Sequence, residues 1–131
     1  MILRGRIPSE DVSEALAEAD AALMTLKDLP LANITLPAKL QSYFACGKPV
    51  LASVNGESAK TVEESRAGFV SPSGDAAALA ENVLKMYSMT AEELEQMGKN
   101  AEDYCKEMYS KQKLMNILTE ELKKSVKKEN D

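Results

Sequence analysis

The stretch NITLPAKLQSYFACGKPVLAS, Asn33 to Ser53, decides the fold. Pro37 suits the first turn of a helix, and Leu40, Tyr43 and Phe44 give that helix one apolar face. Gly47 closes it and Pro49 prevents its continuation. PVLAS, Pro49–Ser53, is then a short apolar strand that turns at VNG. Helix, glycine and strand follow one another within about twenty residues, which is the rhythm of an α/β protein.

The same alternation extends outward. AALMTL, Ala21–Leu26, reads as a buried strand ended by KDLP, and GFVS, Gly68–Ser71, as another ended by PSGD. ILRG, Ile2–Gly5, is a further strand candidate. Between them, PSEDVSEALAEAD carries Val12, Ala15, Leu16 and Ala19 at helical spacing behind a capping Ser9, and ESAKTVEESR is a short helix closed near Gly68. Asp75 caps a helix that turns Leu79, Val83 and Met86 inward. Thr90 and Glu93 form a capping box for a helix carrying Leu94, Met97, Ala101, Tyr104, Cys105 and Met108. Ser110 caps a last helix with Leu114, Ile117, Leu118, Leu122 and Val126 on one stripe. The expected fold is a three-layer α/β/α domain with a parallel sheet of about four strands and a helical C-terminal third. The Met and Leu stripes beyond residue 78 are expected in its core. The 131 residues are expected to form one domain, with a frayed tail over 128–131.

Composition excludes several functions. Twenty-one acids against sixteen bases give a net charge of −5, which disfavours a broad nucleic-acid surface. No apolar run is long enough for a membrane span, and the N-terminus has no apolar signal-peptide core. Histidine is absent, which removes His-based acid–base catalysis, Ser–His and Cys–His pairs and the usual zinc sites. Cys46 and Cys105 have no metal-ligand spacing and read as two buried thiols in a reducing cytoplasm. No cofactor is implied.

One charge pattern stands out. From Leu29 to Gly56 there is no acid, and Lys39 and Lys48 are the only charges. In a parallel sheet, ligands gather at the carboxyl ends of the strands, and this stretch spans two such ends. A helix starting at Leu36–Pro37 offers free amides and partial positive charge at its mouth, a ready anion site. Lys39 in its first turn works against the macrodipole, where a helix ordinarily places acids. It therefore reads either as a solvated cation or as a phosphate-binding one. The plain reading makes Tyr43 and Phe44 core, Gln41 and Ser42 surface residues, Lys48 solvated, and Asn55–Ser58 a simple glycine turn. Glu57, Glu63 and Glu64 then belong to a solvated helix.

Taken together, EDVSEALAEADAALMTL, LPAKLQSYFACGKPVLAS and NGESAKTVEESRAGFVSPSGDAAALAENV resemble, in order, the C-terminal domain of GT-B glycosyltransferases of group 1, family four. The most specific segment is P-x-K-x-x-x-Y-x-A-x-G-K-P from Pro37 to Pro49. The resemblance implies a donor-binding portion of an enzyme that transfers a sugar from a nucleotide diphosphate sugar. Asn33, Thr35, Leu36 and neighbouring amides would approach the diphosphate, with Lys39 close by, Gln41 or Ser42 on the ribose, and Gly56 and Glu57 in the second turn. The family usually carries two glutamates eight positions apart, and here those positions hold Ile34 and Ser42. The P-x-K-L-Q pattern is similar to a sub-branch resembling bacterial surface-polysaccharide enzymes. A cytoplasmic location, at the inner membrane face in the parent enzyme, goes with it.

The resemblance further implies that the chain starts at the third strand of a six-stranded order, without two earlier strands and the N-terminal acceptor domain. The isolated chain should then not transfer sugar. ALMTL should become an open edge, covered either by ILRG or by a second chain in a homo-oligomer. The alternative from another class is a non-catalytic α/β oligomerising or binding module. A receiver-type signalling domain needs clustered acids at strand ends, and the sequence offers only Asp28 there.

Overall fold

In the computed structural model, residues 2–3 and 5–129 are described, with side chains through 126. A 3-10 turn at Ser9–Asp11 leads into α1 (Val12–Ala17). Then come β1 (Ala22–Thr25), α2 (Pro30–Ile34), α3 (Ala38–Ala45), β2 (Val50–Ser53), α4 (Gly56–Ser65) and β3 (Gly68–Ser71). Three helices complete the chain: α5 (Ala76–Tyr87), α6 (Ala91–Tyr109) and α7 (Lys111–Glu129). The strands form one parallel sheet in the order β1-β2-β3, with Ala22 beside Val50 and Val50 beside Gly68. The expected α/β layering is present.

The sheet has three strands among the described residues, not four. Ile2, Leu3 and Gly5 lie outside it, with Ile2 and Leu3 exposed, and Arg4 falls outside the described residues. Ile2, Leu3 and Gly5 therefore do not cover β1. An apolar run becomes a strand only where a neighbour supplies hydrogen bonds and a face to bury. Beyond β1 no further strand is paired among the described residues, and Leu23 is 56% exposed.

Met24, Leu40, Phe44, Val50, Ala52, Val54, Val62, Ala67 and Ala101 make the core between the sheet and helices α3, α4 and α6. Phe44 meets Tyr104 edge-on, with ring centroids 5.9 Å apart; Phe44 is core as the sequence suggests, and Tyr43 and Tyr104 pack half-buried against it. Helix α5 covers β2 and β3 from the other face, where Lys85 lies 4.3 Å from the Phe69 ring centroid. The expected caps are present at Asp75, at Thr90–Glu93 and at Ser110. Ser9, by contrast, caps no helix by its side chain.

Helix α3 ends in a Schellman turn. Gly47 adopts φ 61°, its amide donates to Phe44 and the Lys48 amide donates to Tyr43. Helix α4 is closed differently from the expectation at Gly68. Arg66 takes the left-handed conformation, φ 54°. Gly68 instead begins β3, where a β-carbon would stand 1.8 Å from the Val50 carbonyl oxygen. Lys48 is not a solvated cation. Its ammonium donates to the Ala17 and Ala19 carbonyls at 3.3 and 2.7 Å, at the negative end of α1.

Three further expectations are corrected. Val83 is 44% exposed. The α7 stripe of Leu114, Ile117, Leu118, Leu122 and Val126 is exposed rather than core. Cys46 and Cys105 are free but only half-buried, and burial pushes the Cys105 thiol up. The backbone of residues 128 and 129 belongs to α7. Residues 130 and 131 lie outside the described residues.

Candidate functional site

The carboxyl ends of all three strands meet in one hydrogen-bonded layer. After β1 the chain runs through Asp28 into α2, whose first residue is Pro30, and Asn33 Nδ2 donates back to Asp28 Oδ1 at 2.8 Å. The Asn55 side chain, from the turn after β2, also donates to Asp28. Hydrogen bonds from Asn33 first, then Asn55, hold the Asp28 carboxyl below the usual carboxylate range, slightly opposed by desolvation. Asn55 Oδ1 in turn accepts the Ser73 amide at 3.1 Å, from the turn after β3. Ser53 Oγ donates to the Pro72 carbonyl at 3.1 Å, and Ser73 Oγ donates to the Leu26 carbonyl.

This layer brings several of the expected residues together. Asn33 lies against Gly56: a β-carbon on Gly56 would fall 1.9 Å from the Asn33 carbonyl oxygen, and Gly56 has φ 64°. Ser58 Oγ donates to the Thr35 carbonyl at 3.4 Å, tying the segment before α3 to the first turn of α4. Thr35 is exposed and donates its own hydroxyl to the Leu31 carbonyl, while Leu36 is half-buried against the core. Glu57 is exposed in the first turn of α4.

The remaining expected residues lie along α3. The helix starts at Ala38, with Pro37 as its N-cap in extended conformation, one position later than its sequence suggests. No side chain caps it. Lys39 is exposed in its first turn and makes no hydrogen bond or ion pair among the described residues. Gln41 is half-buried. Ser42 donates its hydroxyl to the Ala38 carbonyl at 3.2 Å, so its donor is occupied within the helix.

Sequence reasoning weighed Asp28 only as an isolated strand-end acid and Asn55 only as part of a turn, and it missed Ser73. Asp28 and Ser73, with Thr25, Leu26, Lys27, Ser53, Gly74, Ala76 and Leu79, line a pocket of about 640 Å³ beside the same strand ends. The acid-free stretch is thus not acid-free in space, because Asp28 is hydrogen-bonded to Asn33 within it. The Asp–Asn pairing gave no sequence signal: its partners stand 5 and 27 positions away. Among the described residues there is no cluster of His, Cys, Asp or Glu that could hold a metal, and no helix long and apolar enough to cross a membrane.

Parallel strands, converging strand-end turns and an uncapped helix beside them define an α/β domain of Rossmann-like layering. The family described as Glycosyl transferases group 1 matches residues 1–89, more than half of the chain. The protein belongs to this glycosyltransferase family. Comparisons with curated proteins and with solved structures give no match.

Proposed function

We propose that this chain is the donor-binding portion of a glycosyltransferase that takes a sugar from a nucleotide diphosphate sugar, in bacterial surface-polysaccharide synthesis. The observation that carries the reading is Lys39, an exposed cation in the first turn of α3, where the macrodipole disfavours it. A diphosphate at the helix mouth gives that charge a purpose. As the sugar departs, the diphosphate gains negative charge, and amides with a lysine aimed at it lower the barrier. Asn33, Thr35, Leu36, Gly56 and Glu57 form the surrounding loops, and Gln41 is the α3 residue offered to the ribose. Ser42 is a poorer ribose ligand, because its hydroxyl is already donated.

On this reading the 131 residues form the C-terminal part of a cytoplasmic donor-binding domain and bind the donor without turning it over. Titration with uridine and guanosine diphosphates, followed by amide NMR, tests the site. Shifts concentrated in residues 33–42 and 55–57 are expected. No shift at millimolar ligand removes the donor-binding reading and favours a non-catalytic module of the same fold. A coupled diphosphate-release assay on the purified chain should stay at background, and steady turnover would refute the binding-only assignment.

A further inference from the structure

Asn55 stands at the N-cap position of α4 in extended backbone conformation, φ −121° and ψ 176°. From that place an asparagine ordinarily turns its side chain onto the first amides of its own helix and stabilises it. Here the side chain makes no such bond. Its amide nitrogen donates instead to Asp28, and its Oδ1 accepts the Ser73 amide at 3.1 Å. The first contact reaches the turn after β1, and the second reaches the turn after β3. Ser73 Oγ returns to the Leu26 carbonyl, on the same turn as Asp28, so the bridge closes into a ring. A side-chain amide carries a donor and an acceptor on one plane, which lets it serve a carboxylate and an N–H together. An asparagine that forgoes its own cap for this bridge is placed for the turns, not for α4.

We propose, on the strength of the donor-binding reading, that Asn55 is a positioning residue: through Asp28 it sets residues 33–36 against the start of α4, in the arrangement that a nucleoside diphosphate meets. Asp28 accepts from Asn33 as well as from Asn55, so one carboxylate ties the end of α2 to the head of α4. The backbone repeats the tie one residue on, where the Asn33 carbonyl fills the place of a β-carbon on Gly56. Ser58 Oγ also donates to the Thr35 carbonyl, but at 3.4 Å that bond is long and does not fix the segment by itself. Asn55 acts through Asp28 and Asn33 rather than by touching the ligand. A loop ordered before binding loses less freedom when the ligand arrives, so the bridge raises affinity without adding a contact.

Asn55→Ser separates positioning from stability. Serine caps a helix as well as asparagine does, but it is too short to join Asp28 to Ser73. The urea midpoint of this variant should stay near that of the parent. Uridine or guanosine diphosphate should bind it about tenfold more weakly by isothermal titration, the size of one ordering hydrogen bond lost. In its NMR spectrum the backbone amides of residues 33–36 and the Asn33 side-chain amide should shift together. The exchange Asp28→Asn with Asn55→Asp keeps the net charge. It rebuilds the bond between positions 28 and 55 with donor and acceptor reversed, leaves Asn33 and the Ser73 amide their acceptors, and should recover most of the affinity. Equal diphosphate affinity in Asn55→Ser and the parent overturns the proposal and leaves the donor-binding reading standing. A parent that binds neither diphosphate at millimolar concentration takes down both. Where Asn55→Ser lowers the urea midpoint as well, the exchange variant decides. Restored affinity supports the positioning role, and restored stability without restored affinity overturns it.

Discussion

The carbonyl oxygen of Asn33 occupies the place where a β-carbon on Gly56 would have to go, 1.9 Å away. Helix α2, after β1, and the start of α4, after β2, are therefore in backbone contact, and that contact needs glycine both for space and for its φ of 64°. Gly56→Ala is expected to destabilise the domain by about 2–4 kcal/mol, combining left-handed strain with overpacking. Urea unfolding measures it. A variant as stable as the parent would show that the two segments are not held together.

Much of this arrangement is legible in the sequence. Residues 21–26, 49–53 and 68–71 read as strands and contain β1, β2 and β3, because short apolar runs between turn signals have few other solutions. ILRG misleads because four residues cannot reveal whether a neighbour exists to pair with them. Helix α2 escapes detection since PLANI is too short to show a period. The α7 stripe is readable as an apolar face, but periodicity does not say what covers a face. Asp28 is unreadable for a different reason: its two partners are set by loop packing, which brings residues 28, 33 and 55 together only in the folded chain.

Asp28 should give the site a measurable acid sensitivity. Hydrogen bonds from Asn33 and Asn55 depress its pKa in the folded protein. A depressed carboxylate stabilises the fold above its unfolded pKa, and that contribution is lost as pH falls through the lower folded value. The contribution is thus complete at neutral pH and fades below about pH 4, the ordinary carboxylate range. Side-chain amide resonances of Asn33 and Asn55 should titrate together in that acid window. In Asp28→Asn the titration should disappear. Independent titration of the two amides would break the proposed link between the loops.

Arg66 offers a stabilising change. It holds a left-handed conformation at the end of α4, where an L side chain costs roughly 1–2 kcal/mol and glycine does not. Its carbonyl accepts from Asn100 Nδ2 at 3.1 Å, a bond that does not depend on the side chain. Arg66→Gly is therefore expected to gain about 1 kcal/mol, after the extra backbone entropy of glycine in the unfolded chain is subtracted. A raised midpoint in urea at unchanged slope is the signature. A lowered midpoint would mean that the arginine side chain contributes more than its backbone strain takes away.

Lys39 separates the two ways of explaining the acid-poor stretch. If it is only a solvated cation, Lys39→Ala removes an unfavourable charge from the first turn of α3 and stabilises the chain by a few tenths of a kcal/mol. If it holds a diphosphate, the same change also weakens nucleoside diphosphate binding about tenfold or more, the size of a lost charge-assisted hydrogen bond. The nucleoside alone, which lacks the phosphates, should bind the variant and the parent equally. Isothermal titration with both ligands distinguishes the cases. Equal losses for nucleoside and diphosphate would point to a disturbed helix. A selective loss of the diphosphate, in a variant slightly more stable than the parent, is the result the site geometry calls for.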